Sequence, residues 1–322
     1  MWYNLHVIST YILGDNMKIN IEDMSKYIDV SKIRINEPMS KHTTFKLGGI
    51  ADVLVMPQTT EELVACIKYA KKEDMPITIV GNGSKLLVLD GGIRGMVIKL
   101  ASKFASVTFD GEVIHALSGI SLPYLAGLAK KNELSGLEFA CGIPATLGGA
   151  IFQNAGAYDG DMSKVVEEVR YLDEECNLNT LTKDKLQFGY RSSFFKTNKN
   201  KGYVIVSAKL RLKKGNLEEI ENLMNENTEK RRSKQPLEYP SAGSVFKRPE
   251  GYFVGKLVDD AGLKGKHIGG AEVSVKHSGF IINKGDATSK DVTDLIELIK
   301  KEVFEKFGVR LEEEIIIIGD EK

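Results

Sequence analysis

The feature of this sequence that most constrains its fold is a dense glycine cluster in the segment CGIPATLGGAIFQNAGAYDGDM, which runs from Cys141 to Met162. The glycines of this segment are Gly142, Gly148, Gly149, Gly156 and Gly160. Glycine lets a backbone approach a ligand closely because it has no Cβ atom. A tight turn needs fewer glycines than this. The density therefore favours a surface on which the backbone lies against a flat or extended cofactor over a structural loop.

A second, smaller glycine cluster, Gly81-Asn82-Gly83-Ser84, follows the β-branched run ITIV directly. A glycine-rich turn after a strand exposes several backbone N–H groups and can cradle a phosphate. The turn matches neither common nucleotide motif, because it has no GxxxxGK[ST], lacks the third glycine of GxGxxG and precedes a strand-like run. Taken alone, this signal fits a phosphate cradle and a plain tight turn equally well.

Composition limits the classes of protein that the chain can belong to. Its 322 residues include 44 Lys and Arg against 44 Asp and Glu, so the formal net charge is zero. This balance argues against a nucleic-acid coat or a polybasic membrane binder. The length predicts two or three domains. Three distant cysteines without a CxxC spacing predict reduced thiols and no zinc site, and no apolar run reaches the ~18 residues of a membrane span.

The pattern of strands and helices predicts an α+β, multi-domain fold. Asp110-Gly111 is a hairpin signal between two alternating runs. Apolar stripes at helical spacing predict helices over 217–234 and 289–307. ITIV, residues 77–80, is predicted to be a buried strand. The four isoleucines of residues 315–318 predict a terminal strand that is covered on both faces and inserted in an earlier sheet.

The first sixteen residues, MWYNLHVISTYILGDN, lack the basic n-region and the cleavage site of a signal peptide. We expect residues 1–16 to be a non-essential extension upstream of Met17. Their deletion should leave folding and activity intact.

Several separated motifs together identify a family. GNGSKLLV and GIPATLGGAIFQNAGAY resemble the FAD-binding domain of the vanillyl-alcohol-oxidase type. Within that superfamily the chain resembles the UDP-N-acetylenolpyruvoylglucosamine reductase family of bacterial peptidoglycan precursor synthesis. The resemblance runs from NEPMSKHTTFKLGG to the C-terminal strand and includes FGYRSSFFK, SAGSVFKRP, GKLVDDAGLKGKHIGGAEVS and HSGFIIN. The chain is similar to the shorter form of the family, which lacks an inserted tyrosine-bearing loop.

This resemblance implies a two-part FAD-binding module and a C-terminal α+β substrate-binding domain. We expect a first FAD-binding subdomain over 17–95, to which 309–322 returns, a second over 96–215, and the substrate-binding domain over 216–308. The implied ligands are non-covalent FAD, NADPH as hydride donor, and UDP-N-acetylenolpyruvoylglucosamine as substrate. We expect a cytoplasmic monomer that has no metal and binds neither nucleic acid nor a membrane.

The resemblance places the cofactor-binding residues in the two glycine clusters. They are Gly81, Asn82, Gly83, Ser84, Lys85, Gly142, Ile143, Pro144, Ala145, Gly148, Gly149, Asn154, Ala155, Gly156 and Ala157. Two of these depart from the family pattern. Lys85 stands where members often have Asn, which suggests an added cation near the flavin pyrophosphate, and Ala145 replaces a usual Gly.

Three residues match the family's catalytic positions. Ser244, in SAGSVFKRP, matches the serine proton donor, although its spacing alone also fits a turn or helix-cap serine. Arg191, in FGYRSSFFK, matches an arginine that can hold a carboxylate or enolate through two parallel hydrogen bonds, although an arginine beside aromatics is more often a surface residue. Glu314 enters a buried strand, where desolvation is expected to favour its neutral, proton-donating form.

The predicted substrate contacts are Tyr190, Arg248 and His277. Arg248 is a candidate for the UDP phosphates, and His277 is expected either to frame the substrate or to be structural. Ile316 stands where family members often have Arg. Two other functions remain open from the residues: another FAD-dependent oxidase of the superfamily, and a non-catalytic flavin-binding sensor. GNGSK holds no histidine for covalent FAD attachment, and a sensor would not need Arg191, Ser244 and Glu314 together.

Overall fold

The structure is a computed structural model that describes residues 10–12 and 18–322. Strands β1 (Thr10–Ile12) and β2 (Lys18–Asn20) form an antiparallel pair at its start. The other residues of the predicted extension lie outside the described ranges, so its dispensability stays a prediction. None of the helices in these ranges is long and apolar enough to cross a bilayer.

Eight α-helices occur in the described ranges. They are α1 (Ile21–Met24), α2 (Thr60–Lys72), α3 (Leu122–Lys131), α4 (Leu147–Gln153), α5 (Phe194–Thr197), α6 (Leu217–Lys234), α7 (Val254–Asp260) and α8 (Ser289–Phe307). The helices predicted over 217–234 and 289–307 are confirmed. In α8, the Thr288 side chain accepts from the backbone N–H of Asp291, whose carboxylate accepts in return from the Thr288 N–H.

The first sheet has four strands in the order β3 (Ile33–Pro38), β4 (Ile50–Val55), β7 (Ile93–Lys99) and β5 (Ile77–Val80). The last three are parallel, with α2 as a connection from β4 to β5. Strand β5 is an edge strand, and Ile79 is 38% exposed. The prediction that ITIV is a buried strand was therefore wrong, because an edge strand has a neighbour on one side only.

The second sheet is antiparallel and has the order β14 (Leu178–Thr182), β13 (Val166–Leu172), β15 (Val204–Arg211), β9 (Val113–Leu117) and β8 (Val107–Asp110). The predicted hairpin at Asp110-Gly111 is confirmed as the β8–β9 turn. Two short pairs flank this sheet, β10 (Leu134–Ser135) with β16 (Lys213–Lys214) and β11 (Gly156–Ala157) with β12 (Gly160–Asp161). Helix α6 packs here, since Asn227 donates to the Glu138 carbonyl, although our division of the sequence assigns α6 to the third domain.

The third sheet is antiparallel, in the order β17 (Ser241–Ser244), β20 (Phe280–Asn283), β19 (Ala271–Val273) and β18 (His267–Ile268). Its core, filled by the apolar faces of α7 and α8, also contains Phe45 and Leu87 from the N-terminal part of the chain. The Thr44 hydroxyl donates to the Ser241 carbonyl and the Asn283 amide donates to the Phe45 carbonyl. This sheet is thereby fixed beside the segment that precedes β4.

The terminal strand β21 (Ile316–Ile318) pairs in parallel with β6 (Leu86–Val88). The two form a separate two-stranded sheet, and Ile317 is 39% exposed. The prediction of a strand covered on both faces and inserted in an earlier sheet was therefore wrong. The pairing nevertheless has a consequence for the site, because it brings Glu314 beside the turn that ends at Lys85.

Candidate active site

The two glycine clusters of the sequence meet in space. A Cβ atom on Gly81 would lie 2.3 Å from Thr146 Oγ1, so only glycine allows this approach. The Asn82 side-chain amide donates to the Pro144 carbonyl across 3.3 Å. The first cluster, between β5 and β6, therefore faces the second cluster directly at the start of α4.

The turn of the first cluster has free backbone donors. The N–H groups of Asn82, Gly83 and Ser84 donate no hydrogen bond within the described part of the chain. Gly83 has a φ of 65°, and a Cβ atom there would lie 2.2 Å from the His42 carbonyl oxygen. Successive free amides in such a turn form a concavity that attracts anions. The turn thus fits the pyrophosphate of a dinucleotide.

A buried, unpartnered hydroxyl lies beside the second cluster. Among the described residues, the Ser118 Oγ atom is buried and has no hydrogen-bond partner. A Cβ atom on Gly148 would lie 2.9 Å from Ser118 Cβ, so the two residues are in contact. A buried polar atom without a partner is costly unless a ligand or water satisfies it. Ser118 and the free amides are therefore chemically compatible with a bound dinucleotide.

Asn154, predicted to contact the cofactor, has its side chain committed to the protein. It has a left-handed φ of 43° at the end of α4. Its amide donates to the Gly189 carbonyl, and its side-chain oxygen accepts from the Ser163 N–H, both across 3.0 Å. The side chain therefore supports the loop that carries Tyr190 and Arg191.

Arg191 connects the second cluster to the end of the chain. Its Nε donates to Glu314 Oε1 across 3.0 Å, and its Nη2 donates to the Gly156 carbonyl across 3.1 Å. The residue has a φ of 51°, a conformation that costs free energy for a non-glycine residue and often marks a functional site. The donors on Nη1 have no acceptor in the ranges that the structure covers, so they are available to an anionic ligand.

Glu314 is a buried carboxylate held by two cations. Lys85 Nζ and Arg191 Nε lie 2.9 Å and 3.0 Å from the same oxygen, Oε1. Burial favours the neutral acid, but the attraction of both cations and their hydrogen bonds outweigh it and lower the pKa of Glu314. The prediction that Glu314 is a neutral proton donor was therefore wrong. Its neighbours Glu312 and Glu313 pair instead with Lys247 and Lys300.

Ser244 lies on the strand next to Glu314. The Glu314 N–H donates to the Val245 carbonyl across 2.7 Å, and Lys85 Nζ donates to the Ser244 carbonyl across 2.8 Å. The Ser244 hydroxyl donates to the Phe246 carbonyl across 3.2 Å. This is a long and local hydrogen bond, so a change of the χ1 rotamer would free the hydroxyl for a substrate.

Two of the three predicted substrate contacts lie together. The exposed Tyr190 accepts through its hydroxyl from the Arg248 N–H across 3.0 Å, and the Arg248 guanidinium stacks on the Phe253 ring. His277 is less exposed and lies in the loop between β19 and β20, where its Nδ1 accepts from the Gly279 N–H. Burial lowers the pKa of His277, so the ring is neutral.

Two further basic residues border the site and were missed from the sequence. Lys196 donates to the Arg191 carbonyl and to Gln153 Oε1, so it holds Arg191 in place, and burial lowers its pKa. Arg231 lies against Gly142, has no ion-pair partner in the described ranges, and has its pKa lowered by burial. Ser118 was missed as well. Contacts between distant segments define all three, and no local pattern signals them.

Two family models match the chain in separate regions. An FAD binding domain matches residues 51–181, and the C-terminal domain of UDP-N-acetylenolpyruvoylglucosamine reductase matches residues 235–318. The first match contains both glycine clusters, and the second contains Ser244 and Glu314.

Similar proteins and a similar solved structure cover nearly the whole chain. The UDP-N-acetylenolpyruvoylglucosamine reductase of Clostridium perfringens (strain SM101) is 50% identical over 296 residues, which is 92% of this chain and 96% of that protein. The Caldanaerobacter subterraneus reductase is 50% identical over 303 residues, 94% of this chain and 99% of that protein. The crystal structure of the Thermus caldophilus reductase superposes with a TM-score of 0.75 at 36% identity and covers 88% of this chain and 99% of that one.

Proposed function

The chain belongs to the UDP-N-acetylenolpyruvoylglucosamine reductase family, and from that membership we infer that it reduces the enolpyruvyl ether of UDP-N-acetylenolpyruvoylglucosamine to UDP-N-acetylmuramate. The cofactor is FAD and the hydride donor is NADPH. The single observation that carries the site assignment is the convergence of Arg191, Glu314 and the Ser244 strand beside the second glycine cluster.

Bound FAD supplies hydride transfer from NADPH to the β-carbon of the enolpyruvyl group. The two electrons of the new C–H bond convert the methylene to a methyl group, and the electrons of the double bond move to the α-carbon and its carboxylate. The protein must then stabilise this enolate and deliver one proton to the α-carbon.

Arg191 is the residue we assign to the enolate. Its Nε and Nη2 are held by Glu314 and the Gly156 carbonyl, so the guanidinium is oriented before substrate binds. Its remaining donors form an edge that can bind the carboxylate oxygens as their charge increases. In this assignment the ionised Glu314 acts through Arg191 by fixing the plane of the guanidinium.

Ser244 is the residue we assign to proton delivery. A serine hydroxyl is a weak acid, so its role requires a strongly basic acceptor held close to it. An α-carbon with enolate charge is such an acceptor. The serine oxygen left after transfer regains a proton from solvent, and the cations Lys85 and Arg191 near its strand favour the anion until then.

The glycine clusters supply the cofactor site. The free amides of 82–84 suit the pyrophosphate, and Gly81 and Gly148 let the two loops close on an extended ligand. Arg231 adds a cation beside Gly142. We also propose that the chain divides into three subdomains, which are 17–95 with 309–322, 96–215 and 216–308. We further propose that the protein is a monomer and that it is cytoplasmic. The three unpaired cysteines agree with a cytoplasmic location.

One experiment tests the function against its two rivals. The purified protein should carry a flavin absorbance that denaturation releases, and it should oxidise NADPH only when UDP-N-acetylenolpyruvoylglucosamine is present. NADPH oxidation with oxygen as the acceptor, and no response to that substrate, would favour an oxidase. A flavin spectrum without turnover on either acceptor would favour a sensor.

A further inference from the structure

Lys85 has a position that the cofactor assignment does not explain. It ends the first glycine cluster, yet its ammonium points into the reaction centre. Nζ lies 2.9 Å from Glu314 Oε1 and donates to the Ser244 carbonyl across 2.8 Å. The ammonium therefore touches one assigned residue through its carboxylate and another through its backbone.

The pairing of β6 with β21 places the Lys85 ammonium in the site. Lys85 directly precedes β6, whose Leu86 is the partner of Ile316 in β21, and the Ile316 N–H donates to the Lys85 carbonyl. The residue before β6 thus brings a cation to Glu314, whereas Ile316, its neighbour on the terminal strand, carries no charge.

We propose that Lys85 is a positioning residue of the reaction centre, whose ammonium holds the Glu314 carboxylate against Arg191 and ties it to the Ser244 strand. This rests on the proposed function. Without the ammonium, Glu314 keeps Arg191 as its one direct cation. A neutral Glu314 would no longer attract the guanidinium, and Arg191 would lose the partner that orients it.

The charged groups around Glu314 make the effect measurable as a pH dependence. Lys85 and Arg191 contact it directly, and Lys196 adds positive charge at longer range. The acids beside it in sequence are already paired with Lys247 and Lys300. An opposite charge in contact lowers a carboxyl pKa by about 1 to 3 units. Loss of the Lys85 charge should therefore move the protonation of Glu314 toward neutral pH.

The test compares Lys85→Gln, which keeps a hydrogen-bond donor without the charge, with Lys85→Arg, which keeps the charge. Lys300→Gln is the matched control, since Lys300 pairs with the adjacent Glu313 and is 31% exposed against 27% for Lys85. Each NADPH-reduced holoenzyme is mixed with UDP-N-acetylenolpyruvoylglucosamine without oxygen, and its reoxidation rate is measured from about pH 4 to 9.

In Lys85→Gln we expect the acid limb of this profile to move up by about one pH unit or more, while Lys85→Arg and Lys300→Gln keep the wild-type limb. If the acid limb of the pH profile is the same in Lys85→Gln as in the wild type, the proposal is overturned. An equal shift in Lys300→Gln, or a Lys85→Gln protein that does not fold, would overturn it as well. If the substrate fails to reoxidise even the wild-type enzyme, the proposed function itself is wrong.

Discussion

Arg191 Nε lies 3.0 Å from Glu314 Oε1, although 123 residues separate the two along the chain. Arg191 lies C-terminal to the second glycine cluster. Glu314 lies just before β21, the terminal strand that pairs with β6. The contact therefore exists only when the C-terminal segment returns to β6. The reaction centre is thus assembled by the fold as a whole, and each partner can be tested by its effect on the other.

Replacement of Arg191 by Lys should remove the two-point hold on the enolate. A lysine ammonium is a point charge and cannot keep the Glu314 and Gly156 contacts while it presents an edge to a carboxylate. We expect substrate reoxidation of the NADPH-reduced Arg191→Lys enzyme to slow by about 100-fold or more, with FAD reduction by NADPH little changed. Stopped-flow flavin absorbance separates the two steps. Arg211→Lys, on the exposed end of β15, is the control, and full activity of Arg191→Lys would contradict the assignment.

Removal of the Ser244 hydroxyl should separate the half-reactions more sharply. General acid catalysis contributes about 10²–10⁴-fold, so Ser244→Ala should slow substrate reduction by that factor and leave NADPH-driven FAD reduction nearly intact. Ser241→Ala is an internal control on the same strand, because the Ser241 hydroxyl accepts a long hydrogen bond from the Gly243 N–H, across 3.5 Å. Single-turnover rates of FAD reduction and of substrate reduction, measured for both variants, test this expectation. If Ser244→Ala carries out both half-reactions at wild-type rates, Ser244 is only a turn serine.

Sequence patterns predicted local features well and contacts between distant segments poorly. The glycine density of 141–162 and the helix over 289–307 each depend on residues close in the chain, and both have structural counterparts. The predicted protonation state of Glu314 was wrong. The neighbouring isoleucines indicate that Glu314 is buried, but the two cations that lower its pKa, Lys85 and Arg191, come from distant segments of the chain.

The same distinction explains the errors in burial. ITIV and the terminal isoleucines are apolar runs, but the number of neighbours of a strand is set by tertiary structure, and β5 and β21 lie at open edges. The side-chain contact of Asn154 is also set by tertiary structure. Its place in the second glycine cluster does not indicate that its amide donates to the Gly189 carbonyl, and its cofactor contact stays a prediction.

Glu314→Gln should destabilise the protein in a pH-dependent way. The variant leaves Lys85 and Arg191 beside a neutral group, and we expect a loss of about 1–3 kcal/mol in the free energy of unfolding near pH 7, less than for a fully buried pair because both cations are partly exposed. The folded-state pKa of Glu314 is lowered, so its contribution is present above the unfolded value of about 4.3 and is lost as pH falls through the folded-state pKa.

Urea unfolding of wild type and Glu314→Gln at several pH values measures this difference. The two stabilities should converge as the pH falls below about 4. Glu312→Gln is the control, since Glu312 pairs with Lys247 on the surface and its side chain is 74% exposed. A difference that stays constant as the pH falls below about 4 would contradict an ionised Glu314.

His42 has a hydrogen-bond pattern that requires a neutral ring. Lys99 Nζ lies 2.9 Å from Nδ1, and Glu37 Oε1 lies 3.0 Å from Nε2. An ammonium can only donate, so Nδ1 accepts and Nε2 carries the proton that is donated to Glu37. Burial lowers the pKa of His42, and the charge of Lys99 lowers it further against the opposite effect of Glu37.

The stability of the protein should therefore fall as the pH drops from about 7 toward 5. The unfolded chain takes up a proton on His42 near its ordinary pKa of about 6.5, while the folded chain takes it up at lower pH, so acid favours unfolding in this window. His42→Gln keeps one donor and one acceptor without titrating and should flatten the pH dependence in part, because His277 titrates in the same direction. Urea titrations of the holoenzyme at fixed FAD concentration measure the slope, with the exposed His115→Gln as the control. Equal slopes in His42→Gln and the wild type would show that His42 is protonated alike in both states.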